Sequence, residues 1–194
     1  MTKSIDFYFD FISPYAYLAH NKIKIIKKRK NINFTYKPIL LGGLHNLQEI
    51  SPPAFNKSKL KHMIDDCKLI AKKNNFDFVW NSKFPLNSLN LMRGYLFIKP
   101  KNKDLYLNKI FKAYWKYNLD INNDKVLIDI LKECNIDTKN FFEGIKNVQV
   151  KNKLKKITKE AHNKDIFGAP TFVVNKKIFW GQDRLDFALE EYNK

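Results

Sequence analysis

The chain reads as an α/β protein, a mixed β-sheet with helices on its faces, interrupted by a large all-helical insertion. Three observations predict this. The first 38 residues run strand, helix, strand; residues 57–164 carry only helical periodicity; residues 165–194 return to two short strands and a helix. A sheet assembled from such a split βαβ…ββα unit is mixed, and its first crossover is right-handed. The expected division is therefore 1–56 and 165–194 as the two halves of one domain, with 57–164 inserted between them.

Each element has its own signal. Ile5, Phe7 and Phe9 alternate with Asp6, Tyr8 and Asp10, which is the period of a strand. Ser13 and Pro14 then occupy the N-cap and first-turn positions of a helix of about four turns that ends in basic residues near Lys30. Ile32, Phe34 and Tyr36 alternate again, up to Pro38. Paired glycines at 42–43 and paired prolines at 52–53 predict a loop. Four sets at helical spacing follow, around Leu60 to Ala71, Leu107 to Trp115, Val126 to Cys134 and Val150 to Ala161, with Asp124 and Thr138 as expected caps. No fixed repeat period runs through them. Thr171–Val174 and Ile178–Trp180 form a hairpin around a turn at 175–177, and Gly181 to Arg184 is expected to open a last helix.

Composition bounds the function. Hydrophobic residues make up 44% of 194, enough for a sizeable core. No apolar run reaches membrane-spanning length, and the charged start leads straight into a strand, so no signal peptide and no membrane partner are expected. Cys67 and Cys134 stand far apart, in neither a C-x-x-C nor a metal spacing, and fit buried free thiols in a reducing cytoplasm. None of the four histidines forms a metal spacing with Asp, Glu or Cys, so no metal is expected. The formal net charge of +17 raises nucleic-acid binding as a remote alternative. Against it, only Arg29, Arg93 and Arg184 are arginines among 36 basic residues, and the lysines are spread along the chain. A solvated basic surface that concentrates small anions is the stronger reading.

The candidate site begins at Asp10-Phe11-Ile12-Ser13-Pro14-Tyr15. A side-chain oxygen at a helix start meets unpaired N–H groups and the positive end of the helix dipole, a good place to hold an anion or a thiolate. Ser-Pro at a helix start is more often a cap alone. Its meaning changes with Gly168-Ala169-Pro170-Thr171 and Trp180-Gly181-Gln182-Asp183 downstream.

That order, with Ala-Pro-Thr before the third strand, resembles the thioredoxin fold in its DsbA-like form. Redox members carry C-x-x-C where this chain has Ser13-Pro14-Tyr15-Ala16, so dithiol exchange lacks both sulfurs. The serine form is similar to the 2-hydroxychromene-2-carboxylate isomerases and the kappa-class glutathione transferases. Phe7 to Asp10 with Ser13 to Tyr15 carries that likeness, together with Leu41-Gly42-Gly43, Pro52-Pro53, Phe84 to Ser88, Phe167 to Phe172 and Phe179 to Arg184. The resemblance implies glutathione as cofactor and Ser13 as the catalytic hydrogen-bond donor to its sulfur. It further implies a cis Pro170 that leaves the Ala169 backbone to the tripeptide, and Trp180, Gly181, Gln182 and Asp183 around its charged ends. Reversible thiolate addition to an unsaturated aromatic keto acid would follow, with kappa-type transferase or peroxidase activity as the alternative. A homodimer is also implied.

Four residues are candidates for the organic substrate: Gly43, His45 beside it, Lys37 as a carboxylate partner or a solvated lysine, and Asn87 as a pocket residue or a turn. One departure stands out. The family's Asn before the paired prolines is Ile50 here, unless Asn46 or Ser51 takes its place.

Overall fold

A computed structural model describes residues 3–194. Strand β1 (Ile5–Phe9) leads through a tight loop into helix α1 (Pro14–Arg29) and strand β2 (Phe34–Pro38). Helix α2 (Leu41–Leu47) and a 3₁₀ turn at Pro53–Phe55 precede the helical block. That block comprises α3 (Lys57–Lys73), α4 (Leu89–Phe97), α5 (Pro100–Trp115), α6 (Asp124–Glu133), α7 (Thr138–Gly144) and α8 (Val148–His162). Strands β3 (Thr171–Val174) and β4 (Lys177–Trp180), a 3₁₀ turn at Gln182–Arg184 and α9 (Leu185–Tyr192) finish the chain. No helix among the described residues is long and apolar enough to cross a membrane.

The sheet order is β2-β1-β3-β4. β1 lies parallel to β2 with Phe7 opposite Tyr36, and antiparallel to β3 with Phe7 opposite Phe172; β3 and β4 are antiparallel. Strand alternation then sorts the core onto two faces. Ile5, Phe7, Phe9 and Phe172 pack with α1, α9 and the helical block. Tyr8 packs on the other face with Ile39, Leu44, Ala161 and Ile166, from the α2 and α8 side. Phe11 joins sheet to block: its ring lies 4.9 Å from that of Phe111, and its carbonyl accepts a 2.9 Å bond from the indole N–H of buried Trp115.

Several sequence expectations need correction. Gly42-Gly43 is not a loop but part of α2, because the Asp10 carboxylate accepts from Leu41 N at 2.8 Å at its start and α8 packs against it. The caps of α6 and α7 are Asn123 and Asp137, each one residue before the expected one; their side chains accept from Lys125 N and Asn140 N. The hairpin turn has two residues, Asn175 and Lys176, with φ of 50° and 64°, the left-handed pair that matches strand twist. Residues 182–184 form a 3₁₀ turn rather than the start of an α-helix. Cys67 and Cys134 are free and buried.

Candidate functional site

Ser13 caps α1, and its Oγ accepts from Ala16 N at 3.2 Å. The same hydroxyl donates to the Ala169 carbonyl at 2.9 Å, across 156 residues of chain. Pro170 follows a cis peptide bond and opens β3, and its carbonyl accepts from Gly181 N at 3.0 Å. Gly181 has φ of 112°, a conformation glycine adopts without strain, which lets β4 turn into the 182–184 segment. Lys22, two turns along α1, donates to buried Gln182 Oε1 at 2.7 Å. Ser13, Ala169, Pro170, Gly181 and Gln182 are thus joined at one end of the sheet. Trp180 is half exposed and its ring is tilted against that of Phe167 at 4.8 Å between centroids, while Asp183 is exposed with Arg184 Nη1 at 3.0 Å.

Beneath this cluster lies Asp10, which is fully buried. Its carboxylate accepts from Ile12 N at 3.2 Å and Leu41 N at 2.8 Å, and its carbonyl accepts from Ser13 N at 3.1 Å. One residue therefore ties the Ser13 loop to α2. Loss of hydration on burial raises its pKa from 3.8 to about 6, and those N–H donors with the buried Ser88 hydroxyl hold it back from going further. Tyr15, whose hydroxyl donates to Asp66 at 2.8 Å, fixes the loop to α3 from the other side.

A cavity of about 450 Å³ opens between α2, α4 and α8. Leu40, Leu47, Leu89 and Leu154 form its apolar wall; Gly43 also lines it. Arg93, Lys151, Lys155 and Lys159 stand around it. Leu40 N donates to Thr158 at 3.0 Å, and Leu41 N to Asp10, so this wall continues directly into the loop beneath Ser13.

The other three substrate candidates are placed elsewhere. Lys37 has Asp6 as its partner at 3.8 Å and does not line the cavity. Asn87 is exposed and its Oδ1 accepts from Leu89 N at 3.0 Å, the turn role. His45 is buried on α2 outside the cavity lining, and burial lowers its pKa. Ile50 is exposed, so an apolar side chain stands where the resemblance expects an amide, and Asn46 is exposed on α2. Asp10 and Ser88 lie inside the stretches that carry the resemblance but are given no role there, and Lys22 and Arg93 have no signal of their own in the sequence.

A family model described as the DSBA-like thioredoxin domain matches residues 4–193. The chain belongs to that family. A 2-hydroxychromene-2-carboxylate isomerase of Sphingobium xenophagum is 28% identical over 201 residues, covering 99% of this chain and 98% of the relative. Glutathione S-transferase kappa 1 of Caenorhabditis elegans is 26% identical, covering 93% and 86%. Among solved structures, a 2-hydroxychromene-2-carboxylate isomerase superposes with a TM-score of 0.87 at 24% identity, covering 96% of this chain and 92% of the other. The sheet, its helical block and their connection are those of the DSBA-like thioredoxin fold.

Proposed function

We propose that the protein is a glutathione-dependent isomerase of the 2-hydroxychromene-2-carboxylate isomerase type, acting on an unsaturated keto acid. The observation that carries this is Ser13: a buried hydroxyl at the start of α1, with no cysteine in its tetrad, whose proton rests on the Ala169 carbonyl. Such a hydroxyl fits a borrowed thiol. Its donor can turn from Ala169 to a thiolate, and a tripeptide's own N–H can take over the Ala169 carbonyl. Glutathione would supply a thiolate that adds reversibly to a conjugated carbon, so that the bond rotates before elimination releases the other isomer.

The chain's own groups do the remaining work. The Ser13 hydroxyl and the positive end of α1 lower the thiol's pKa by stabilising its anion. Gln182 is held by Lys22, and Asp183 presents a carboxylate to an ammonium group at the ligand's exposed end. The cation-edged cavity beside α2 supports an acid as second substrate.

Thermal unfolding with glutathione tests the cofactor. At about 100 times its dissociation constant a ligand stabilises the fold by about 2.7 kcal/mol, so millimolar glutathione raises the melting temperature by several degrees. No shift at any concentration refutes the proposal. Ser13→Ala is expected to lose about 10²-fold or more in turnover, the scale seen when one anion-stabilising donor is removed, at a stability cost of about 1 kcal/mol for the cap. The relative named glutathione S-transferase kappa 1 favours a second reading, conjugation of glutathione to electrophiles. Turnover of a chlorodinitrobenzene substrate exceeding that of unsaturated keto acids would decide for it.

A further inference from the structure

The wall of the cavity offers a ligand only two things, hydrocarbon and positive charge. Its one hydroxyl is already committed: Thr158 donates to Leu154 O at 2.9 Å and accepts from Leu40 N at 3.0 Å. No carboxylate lines it, and among the described residues none of its four cations is ion-paired; the ion pair on α8 is Lys156–Glu160, which lies outside the lining. Lys151, Lys155 and Lys159 recur every fourth residue, so they share one face of α8 and form a ladder roughly 12 Å long at 1.5 Å per residue. Arg93 faces them from α4. Its Nε is fully buried and has no hydrogen-bond partner.

A solvated lysine face accounts for Lys155 and Lys159, which are exposed. It does not account for Arg93. A buried guanidinium N–H left unpaired is costly, and its planar fork is shaped for two oxygens of one anion. Once a single carboxylate has filled that fork, half-buried Lys151 opposite still has no carboxylate partner among the described residues, and Lys155 and Lys159 continue the positive face. A head with a third oxygen and a second negative charge reaches both sides.

We propose that this cavity binds an organic dianion, an apolar body with a phosphate-monoester-type head, anchored by Arg93 and met by the Lys151–Lys155–Lys159 ladder. The inference goes beyond the keto-acid reading by giving this cavity a second ligand class, and binding here does not require glutathione.

Calorimetric titration of the whole chain at pH 8 with 2-naphthyl phosphate, 2-naphthoate and 2-naphthol tests it, since the body is constant and the head carries two, one and no charges. The phosphate is expected to bind about tenfold or more tighter than the carboxylate, and the neutral alcohol more weakly still. Arg93→Gln is expected to weaken the phosphate about tenfold or more. Lys155→Glu, at an exposed position that leaves folding undisturbed, is expected to weaken it severalfold. Lys125→Glu on α6, which packs on α5 and α7, is expected to leave it unchanged.

Equal affinity for phosphate and carboxylate overturns the proposal. So does a loss in Lys125→Glu as large as that in Lys155→Glu, which would mean general surface charge. If glutathione raises the melting temperature while none of the naphthyl ligands binds, this inference fails alone. Binding of the phosphate without any glutathione effect leaves the cavity assignment standing and removes the cofactor.

Discussion

Replacing Asp10 with Asn isolates the one buried acid beneath the Ser13 loop. In the folded protein its pKa is raised from 3.8 to about 6, because burial disfavours the charged form. The fold therefore holds this proton more tightly than the unfolded chain does. Its contribution to stability is complete below pH 3.8 and is lost as pH rises through about 6. At about 1.4 kcal/mol per pH unit, that displacement is worth about 3 kcal/mol. Asn cannot ionise, so the wild-type advantage over Asp10→Asn should shrink by about 2.4 kcal/mol between pH 4 and pH 7, the rest of the change falling below pH 4. A constant penalty is added to this. Asn has one acceptor oxygen where the carboxylate serves both Ile12 N and Leu41 N, and one backbone N–H left unpaired costs about 1–3 kcal/mol at every pH. Urea unfolding of both proteins at half-unit intervals from pH 4 to 8 gives the difference directly. A difference that stays flat across that range refutes the raised pKa, whatever its size.

Three further outcomes are expected. His20 is buried between Tyr36 and Asn108, and burial lowers its pKa from 6.5 to about 4. Its stabilisation is complete above pH 6.5 and lost as pH falls to about 4, opposing the Asp10 trend. NMR should show its ring resonances unmoved from pH 8 to 5.5, and a midpoint near 6.5 would refute the burial argument. Glu191 takes hydrogen bonds from Lys177, Lys194 and Asn175, which lower its pKa from 4.5 to about 2. Glu191→Gln should be less stable than wild type above pH 4.5, with the gap closing as pH falls toward 2; a gap that persists at pH 2 would mean the loss is not of charge. Gly94 on α4 leaves no room for a methyl: an added Cβ would run into the Phe141 ring and lie 2.6 Å from the Tyr106 hydroxyl, both fully buried. Gly94→Ala should cost about 1–3 kcal/mol in chemical denaturation, and a neutral result would show that Phe141 can give way.

Local chemistry made most of the fold legible. Period-2 alternation marked β1, and Ser13-Pro14 marked the start of α1, because both signals lie within a few residues. The errors arose where a distant partner decides. Gly42 and Gly43 favour a loop on their own, yet the carboxylate of Asp10, 31 residues before Leu41, accepts the first N–H and makes a helix start there. The cap errors are of another kind. Asn123 and Asp124 can each cap, as can Asp137 and Thr138, and one residue of slippage decides between near-equal neighbours. At the candidate site, Ser13, Ala169 and Pro170 were readable because the motif itself carries them. The Lys22–Gln182 bond was not, since nothing in either segment names a partner 160 residues away.

The basic composition shows where reading a sequence and reading a surface part company. A net charge of +17 made mostly of lysine looks like a uniform coat, and uniform charge carries no address. What distinguishes a coat from a site is whether a cation is withdrawn from water without a counter-charge. The lysines at 151, 155 and 159 alone would not meet that criterion, because their heads can reach solvent while their stems cover the leucines. Arg93 comes nearer to it: the residue is half-buried, lines the same cavity, and its Nε is buried without a partner. Placement by α4 turns one of only three arginines from composition into chemistry, and the ladder on α8 acquires its meaning from that single residue opposite it.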